Sequence, residues 1–144
     1  MKKVKLFIFA VALLLTTLSF PALAQDDKMM KDKAMADEKP VVAIIAADWC
    51  PYCKNVDPVV KAVLKNYEGK FNVVVFDVTN EQTIAAAKEK AESLGLSDFF
   101  TANKEKTSTV AVIKSSKVLY RTTNNTKRDE YTKAFDKALS SKGK

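Results

Sequence analysis

The sequence predicts an α/β fold in which helices cover both faces of a four-stranded mixed sheet, in the chain order β-α-β-α-β-β-α. Three features predict this class. Two runs rich in β-branched residues are separated by one helical segment, the pattern of a βαβ unit. Two further short strands follow at the close spacing of a hairpin. Three segments have apolar residues at helical spacing, so each can bury one face against the sheet.

The first part of the predicted domain is the βαβ unit. Val41–Ala47 is a continuous apolar run after Pro40, which predicts a strand buried on both faces. Apolar residues then recur at helical spacing as far as Tyr67, and Gly69 ends that helix. Phe71–Val78 is the second strand. A right-handed crossover would make it parallel to the first.

A second helix follows this unit. Thr79–Gln82 supplies its capping residues, and Gly95 closes it. Leu96–Lys106 is predicted to be a long connection, in which Phe99 and Phe100 fill the core.

The last part is a hairpin and a final helix. Thr109–Ile113 and Val118–Thr122 are separated by four residues, which predicts two antiparallel strands. Thr126 and Asp129 are placed to cap the final helix. Its predicted buried residues are Tyr131, Phe135, Ala138 and Leu139.

The N-terminal residues indicate export. A lysine-rich start, an apolar stretch from Leu6 to Leu18 and an Ala-x-Ala pattern ending at Ala24 predict a signal peptide, residues 1–24, cleaved after that alanine. The apolar stretch is shorter than the roughly 20 residues of a membrane-spanning helix, so we expect no membrane association after cleavage. Residues 25–39 are charged and lack aromatic or β-branched side chains, which predicts a flexible tether. Residues 40–144 remain as one domain.

The composition restricts the partners. The chain has a formal net charge of +7, but its basic residues are spread along the sequence without aromatic interleaving, so a nucleic-acid partner is not expected. We expect a monomer. The chain has two cysteines and no histidine, which concentrates the candidate chemistry in one motif.

That motif joins the first strand to the first helix. Cys50 is predicted at or near the N-cap and Pro51 at the first helical position. Backbone N–H groups and the helix dipole would there lower the pKa of Cys50 and make it the nucleophile. Cys53, one turn on, would resolve the mixed disulfide. We expect Trp49 to shield one side of the site and Lys54 to add positive charge.

Other roles for the pair stay open. A structural disulfide between Cys50 and Cys53 would close too small a loop to stabilise the fold much. A zinc site lacks further Cys or His ligands. Two thiolates can hold Cu(I), and the soft thioethers of Met29, Met30 and Met35 could assist, which makes a Cu(I) chaperone the main alternative. An interaction domain without redox turnover is a third possibility.

The motif and the element order resemble the thioredoxin-like superfamily. The run Trp49–Lys54, WCPYCK, is similar to its active-site signature, and Pro58 matches its helix-kinking proline. The resemblance covers about Pro40 to Leu139. The Pro-Tyr dipeptide between the cysteines is typical of glutaredoxins, whereas the preceding tryptophan is typical of thioredoxins and periplasmic thiol–disulfide proteins.

The sequence departs from the superfamily at the strand facing the cysteines. Ser108 stands in the place of the family's cis-proline, which normally docks substrate backbone and discourages metal binding. Because a cis bond before a non-proline residue costs about 3 kcal/mol, we expect a trans bond here. The substitution keeps the metal alternative open.

Two further family features are absent. Ile44 stands where thioredoxins carry a buried acid, so proton removal from Cys53 would fall to water, Asp48 or Lys54. Ala111 stands where glutaredoxins have the proline of their glutathione-binding turn, so glutathione use is not implied.

The resemblance implies a thiol–disulfide oxidoreductase, without a cofactor, that exchanges disulfides with protein thiol or disulfide substrates and with a redox partner protein. The signal peptide adds that it is exported, in a Gram-negative cell to the periplasm. Cys50 would attack and Cys53 would resolve, Tyr52 would contact the partner, and Ser108 would line the opposite edge of the groove. Because the chain has no histidine to act as the His⁺ partner of strong oxidants, the sequence favours a reductase.

Overall fold

The computed structural model describes residues 39–141. Residues 1–38 and 142–144 lie outside the described residues. The structure therefore does not test the predictions that fall there. These are the signal peptide, the tether except for Lys39, and the role of three methionines in the Cu(I) alternative.

The described chain forms four strands and four α-helices. Strands are β1 (Val41–Ala46), β2 (Asn72–Asp77), β3 (Thr109–Lys114) and β4 (Lys117–Thr123); helices are α1 (Cys53–Leu64), α2 (Glu81–Ser93), α3 (Ser97–Asn103) and α4 (Arg128–Ser140). A short 3₁₀ helix, Lys65–Tyr67, follows α1. None of the helices in residues 39–141 has the length and apolar character needed to cross a membrane.

The sheet has the order β2-β1-β3-β4 and is mixed, as predicted. β1 pairs in parallel with β2, and Ile44 lies opposite Val75. β3 is antiparallel to both β1 and β4. The central position of β1 explains its apolar sequence, because it has strand neighbours on both sides and helices on both faces.

Side chains of β1 alternate between two apolar layers. Ala43 and Ile45 belong to the layer beneath α2 and α3, and Val42 and Ile44 to the layer beneath α1 and α4. Residues in β1 up to Ile45 are at most 7% exposed. The prediction that helices cover both faces of the sheet is confirmed.

The predicted connection between the second helix and the hairpin is wrong in one respect, because it contains helix α3. Seven residues are too few to show a helical period in the sequence. Phe99 and Phe100 do fill the core as predicted, and both rings lie against Phe76 of β2. Asn103 is buried at the end of α3, where its Nδ2 donates to the Phe99 carbonyl.

The predicted capping is confirmed for α2 and wrong for α4. Asn80 and Thr83 form a reciprocal capping box at the start of α2. At α4 the N-cap is Lys127, which makes no side-chain cap. The Asn125 side chain instead accepts from the Lys127 N–H at 2.9 Å. The backbone carbonyl of Asn125 accepts from the hydroxyl of the buried Tyr131. Contacts between this loop and the core therefore accompany the start of the helix.

Candidate functional site

The two cysteines lie where β1 leaves the centre of the sheet and the chain turns into α1. Cys50 and Cys53 form a disulfide, with Cα atoms 5.4 Å apart. The Cys50 N–H donates to the Ala47 carbonyl at 3.1 Å, which fixes the turn that carries the first sulfur. The predicted pair is therefore assembled at the predicted junction.

Cys50 lies two residues before the N-cap, in agreement with its predicted place at or near it, but the prediction that Pro51 is the first helical residue is wrong. The N-cap is Tyr52 and α1 begins at Cys53, because Pro51 and Tyr52 form a turn before the helix. The backbone N–H of Cys53 nevertheless donates to Cys50 Sγ at 3.2 Å. A hydrogen bond from a helix N-terminus favours negative charge on that sulfur.

The structure gives the solvent exposure of the two cysteines in their oxidised, disulfide-bonded state. Cys50 is 1% exposed, and Cys53 is half-buried. The prediction that Cys50 attacks concerns the reduced pair, in which the sulfurs are no longer bonded, and it stays a prediction. The hydrogen bond to Cys50 Sγ supports it, whereas the burial of Cys50 opposes it.

Trp49 stands at the rim of the site and is anchored to the loop after β2. Its side chain is 63% exposed, and its Nε1 donates to the Thr79 carbonyl at 3.0 Å. The Thr79 Oγ1 accepts from the Asp48 N–H, also at 3.0 Å. Thr79 thus fixes two consecutive residues of the cysteine loop. The sequence indicates Thr79 only as a helix-capping residue, since these contacts span about 30 residues of sequence.

Asp77 holds Thr79 in place from the end of β2. Its Oδ1 accepts from the Thr79 N–H at 2.8 Å and from the Thr79 hydroxyl at 2.5 Å. The hydroxyl hydrogen bond, followed by the backbone one, lowers the pKa of Asp77 below its usual value. No local sequence pattern indicates the role of Asp77, which acts through Thr79 on Trp49.

The other predicted site residues of this region lie in the turn between the cysteines and in α1. Pro51, Tyr52 and Lys54 are exposed, with Tyr52 57% exposed. Pro58 lies inside α1, as predicted for a helix-kinking proline. Because proline has no N–H, it cannot donate to the carbonyl four residues earlier, at Lys54.

Ser108 precedes β3 and lines the same cavity as both cysteines, in agreement with its predicted position. No cis peptide bond occurs in the described residues, so the expected trans bond is confirmed. Ser108 is buried, with a left-handed backbone (φ +58°). Its hydroxyl donates to Asn124 Oδ1, and its carbonyl accepts from the Asn124 N–H at 3.3 Å. Asn124 is itself left-handed (φ +56°), so the two residues support each other's conformation.

A cavity of about 330 Å³ lies beside the disulfide. Its apolar lining includes Ile44 of β1, Val75 of β2 and Val60 of α1. The buried side chain of Ile44 confirms that β1 offers no carboxylate at this position. The cavity also has polar and titratable lining residues: Asp48, Cys50, Cys53, Lys54, Asp57 and Ser108.

Among the described residues, no group of three or more His, Cys, Asp or Glu side chains could hold a metal ion. A Cu(I) site would depend on Cys50 and Cys53 alone, or on residues outside 39–141. Nothing in the described part of the chain favours the Cu(I) alternative over disulfide chemistry.

Comparison with known families agrees with this site. A family model described as Thioredoxin matches residues 22–122, which is more than half of the chain. A thioredoxin of Porphyra purpurea is 35% identical over 60 residues, or 42% of this chain and 56% of that protein. A thioredoxin of Borreliella burgdorferi is 29% identical over 77 residues, or 54% of this chain and 66% of that protein. These matches thus span somewhat over half the length of the curated relatives.

Solved structures agree on the fold. The chain superposes on the X-ray structure of Fasciola hepatica thioredoxin with a TM-score of 0.53 and 18% identity, covering 78% of this chain and 93% of the other. It superposes on Trxlp of Edwardsiella tarda with a TM-score of 0.50 and 18% identity, covering 78% and 92%. The thioredoxin-like fold is confirmed.

Proposed function

The chain belongs to the thioredoxin family, and we propose that it is a thiol–disulfide oxidoreductase that works through Cys50 and Cys53. The observation that carries this proposal is the disulfide itself, placed between β1 and α1 with the Cys53 N–H donating to Cys50 Sγ. In the reduced protein the same N–H would be placed to stabilise a Cys50 thiolate, the species that attacks and leaves in disulfide exchange.

In the proposed direction the reduced protein transfers two electrons to a substrate disulfide. The Cys50 thiolate attacks one substrate sulfur, and the other substrate sulfur leaves as a thiolate that takes up a proton. Cys53 then loses its proton and attacks Cys50 Sγ, which breaks the mixed disulfide and releases the second substrate thiol. The cysteine pair ends as the disulfide seen in the structure, and a redox partner protein must reduce it again.

We propose that the substrates are proteins. Trp49 precedes the first cysteine and Tyr52 precedes the second. Both side chains are more than half exposed, so they offer aromatic surface to an incoming protein chain. Export to an oxidising compartment, the periplasm of a Gram-negative cell, rests on the sequence of residues 1–24. The absence of histidine from the chain supports the reducing direction.

Single-cysteine variants test the proposal most sharply. Reduced wild-type protein should cleave the disulfides of insulin in the presence of dithiothreitol, and the Cys50→Ser, Cys53→Ser double variant should add nothing to the dithiothreitol rate. The Cys53→Ser variant should retain a mixed disulfide with the substrate, visible on a non-reducing gel, because no sulfur remains to resolve it.

The Cys50→Ser variant is the matched control. It should form no mixed disulfide if Cys50 is the attacking sulfur. The opposite pattern, with trapping only in Cys50→Ser, would transfer the attacking role to the more exposed Cys53. A wild-type protein no faster than the double variant would contradict the proposed activity altogether.

Export is tested on the expressed full-length chain. We expect the protein in the periplasmic fraction of a Gram-negative host to begin at Gln25, because Ala24 ends the predicted cleavage pattern. Intact mass measurement gives the answer. A full-length mass, or protein confined to the cytoplasm, would contradict export with cleavage.

A further inference from the structure

The cavity beside the disulfide is apolar where the sheet forms its wall. β1 contributes Ile44 and Ala46, and β2 contributes Val75. No titratable side chain from either strand lines it. Within residues 39–141, a proton leaving a cysteine thiol therefore has no carboxylate acceptor on these two strands, and the carboxylates that line the cavity come from α1 or from the loop before it.

Asp57 of α1 meets that requirement. It lies four residues after Cys53, and residues at this spacing lie next to each other on one helix face. Both side chains line the same cavity, and both residues are half-buried. Lys61, another turn along, pairs with Asp57 Oδ2 at 2.6 Å. A carboxylate oxygen is an acceptor, so Asp57 can take up a proton at this cavity.

The other charged groups around the cavity are less well placed. Lys54 is adjacent to Cys53 in the helix, about 100° away around its axis, and an ammonium group cannot accept a proton. Asp48 is exposed, and its backbone N–H is held at the Thr79 hydroxyl. Ser108 contributes a hydroxyl that is already donated to Asn124. Among residues 39–141, Asp48 and Asp57 are thus the two carboxylates that line the cavity, and of these two only Asp57 follows Cys53 on one helix face.

We propose that Asp57 accepts the proton of the Cys53 thiol as Cys53 attacks the mixed disulfide, an assignment that rests on the proposed function. The Cys53 S–H bond breaks and its proton passes to the Asp57 carboxylate, directly or through one water. The Cys53–Cys50 bond forms while the bond from Cys50 to the substrate sulfur breaks. The substrate leaves as a thiolate and is protonated by solvent, and Asp57 returns its proton to solvent.

Stopped-flow reaction of the reduced protein with Ellman's reagent separates the two sulfur steps. Attack by Cys50 releases one coloured thiolate in a bimolecular phase, and resolution by Cys53 releases a second in a unimolecular phase. In Asp57→Asn we expect the second phase to slow about tenfold at pH 7, less than a fully enclosed general base would contribute, because water reaches this half-buried site. The first phase should not change.

The pH profile distinguishes proton transfer from a structural effect. Without the carboxylate, the second phase should depend on the free thiolate, so its rate should rise about tenfold per pH unit as long as most of the thiol is protonated. The wild-type profile should be shallower over the same range. Asp57→Glu should recover part of the rate, and Asp48→Asn, the matched control on the other carboxylate, should behave like wild type.

Each outcome decides the assignment. Equal second-phase rates and equal pH slopes in Asp57→Asn and wild type would overturn it and leave the proposed function standing. Equal slowing of both phases, or slowing in Asp48→Asn instead, would also overturn it. If the wild-type protein shows neither phase, the proposed function fails, and the assignment of Asp57 fails with it.

Discussion

Individual residues with a left-handed backbone mark the places where this chain is most constrained. Ser108, Ser115, Ser116 and Asn124 all have positive φ. Residues other than glycine pay roughly 1–2 kcal/mol for that conformation. At Ser108 and Asn124 the cost is offset by hydrogen bonds between the two residues. Ser115 and Ser116 are the turn between β3 and β4, where a tight hairpin requires positive φ at both positions.

The hairpin turn gives a stability prediction. Ser116→Gly should raise the free energy of unfolding by about 0.5–1 kcal/mol, because glycine adopts positive φ without the steric cost of a Cβ atom. Urea unfolding measures the change. Ser93→Gly is the control, since Ser93 is helical and glycine should lower stability there by a similar amount. A loss of stability in Ser116→Gly would contradict the account of this turn.

The anchor of the cysteine loop gives a pH prediction. The pKa of Asp77 is lowered in the folded protein by its hydrogen bonds from Thr79. A lowered folded-state pKa contributes stability above the unfolded value of about 3.9, and that contribution is lost as pH falls through the folded-state pKa. Wild type should therefore exceed Asp77→Asn in stability by more at pH 6 than at pH 3. Urea midpoints that differ equally at both pH values would contradict this.

Among the strands and helices, those with a clear burial pattern or clear end signals can be predicted from the sequence. β1 is recognisable because both of its faces are buried, and α2 because its cap and its closing glycine are local signals. α3 is not recognisable because it has only seven residues. The start of α4 and the Ser108–Asn124 contact depend on residues brought together by the fold, so no local pattern in the sequence indicates them.

Some residues of the candidate site could also be predicted from the sequence, and others could not. Cys50 and Cys53 could be predicted from their spacing and from the strand before them. The roles of Thr79 and Asp77 could not, because Thr79 reaches the cysteine loop only through the parallel pairing of β1 and β2. Asp57 could have been found from its four-residue spacing to Cys53, but the cavity that the two share is visible only in the structure.

An aromatic cluster fastens α4 to the rest of the domain. The Phe135 ring lies 5.3 Å from Tyr67 and 4.8 Å from Phe71, measured between centroids. Phe135 is fully buried. Phe135→Ala should therefore cost about 3–5 kcal/mol of unfolding free energy, from lost burial and the cavity left behind. Val118→Ala on the exposed side of β4 should cost less than about 0.5 kcal/mol. Similar losses in both variants would contradict the placement of the core.

At the scale of the whole molecule, apolar layers cover both faces of the sheet. The cysteine pair follows the C-terminal end of its central strand, β1. The loop after β2, the residues before β3 and the first turn of α1 all meet there. The family and the fold agree with disulfide exchange at this site. Ile44 and Ser108 give the cavity a different lining from the one that the family resemblance predicts.

The equilibrium reduction potential of Cys50–Cys53 is the most direct test of the proposal that this pair reduces substrate disulfides. It is measured in thiol redox buffers, with the fluorescence of Trp49, the chain's only tryptophan, as the readout. We expect one reversible two-electron transition near the thioredoxin value of about −270 mV. A transition above about −180 mV would contradict the reducing direction. A pair that does not equilibrate with the buffer at all would contradict the proposed thiol–disulfide exchange itself.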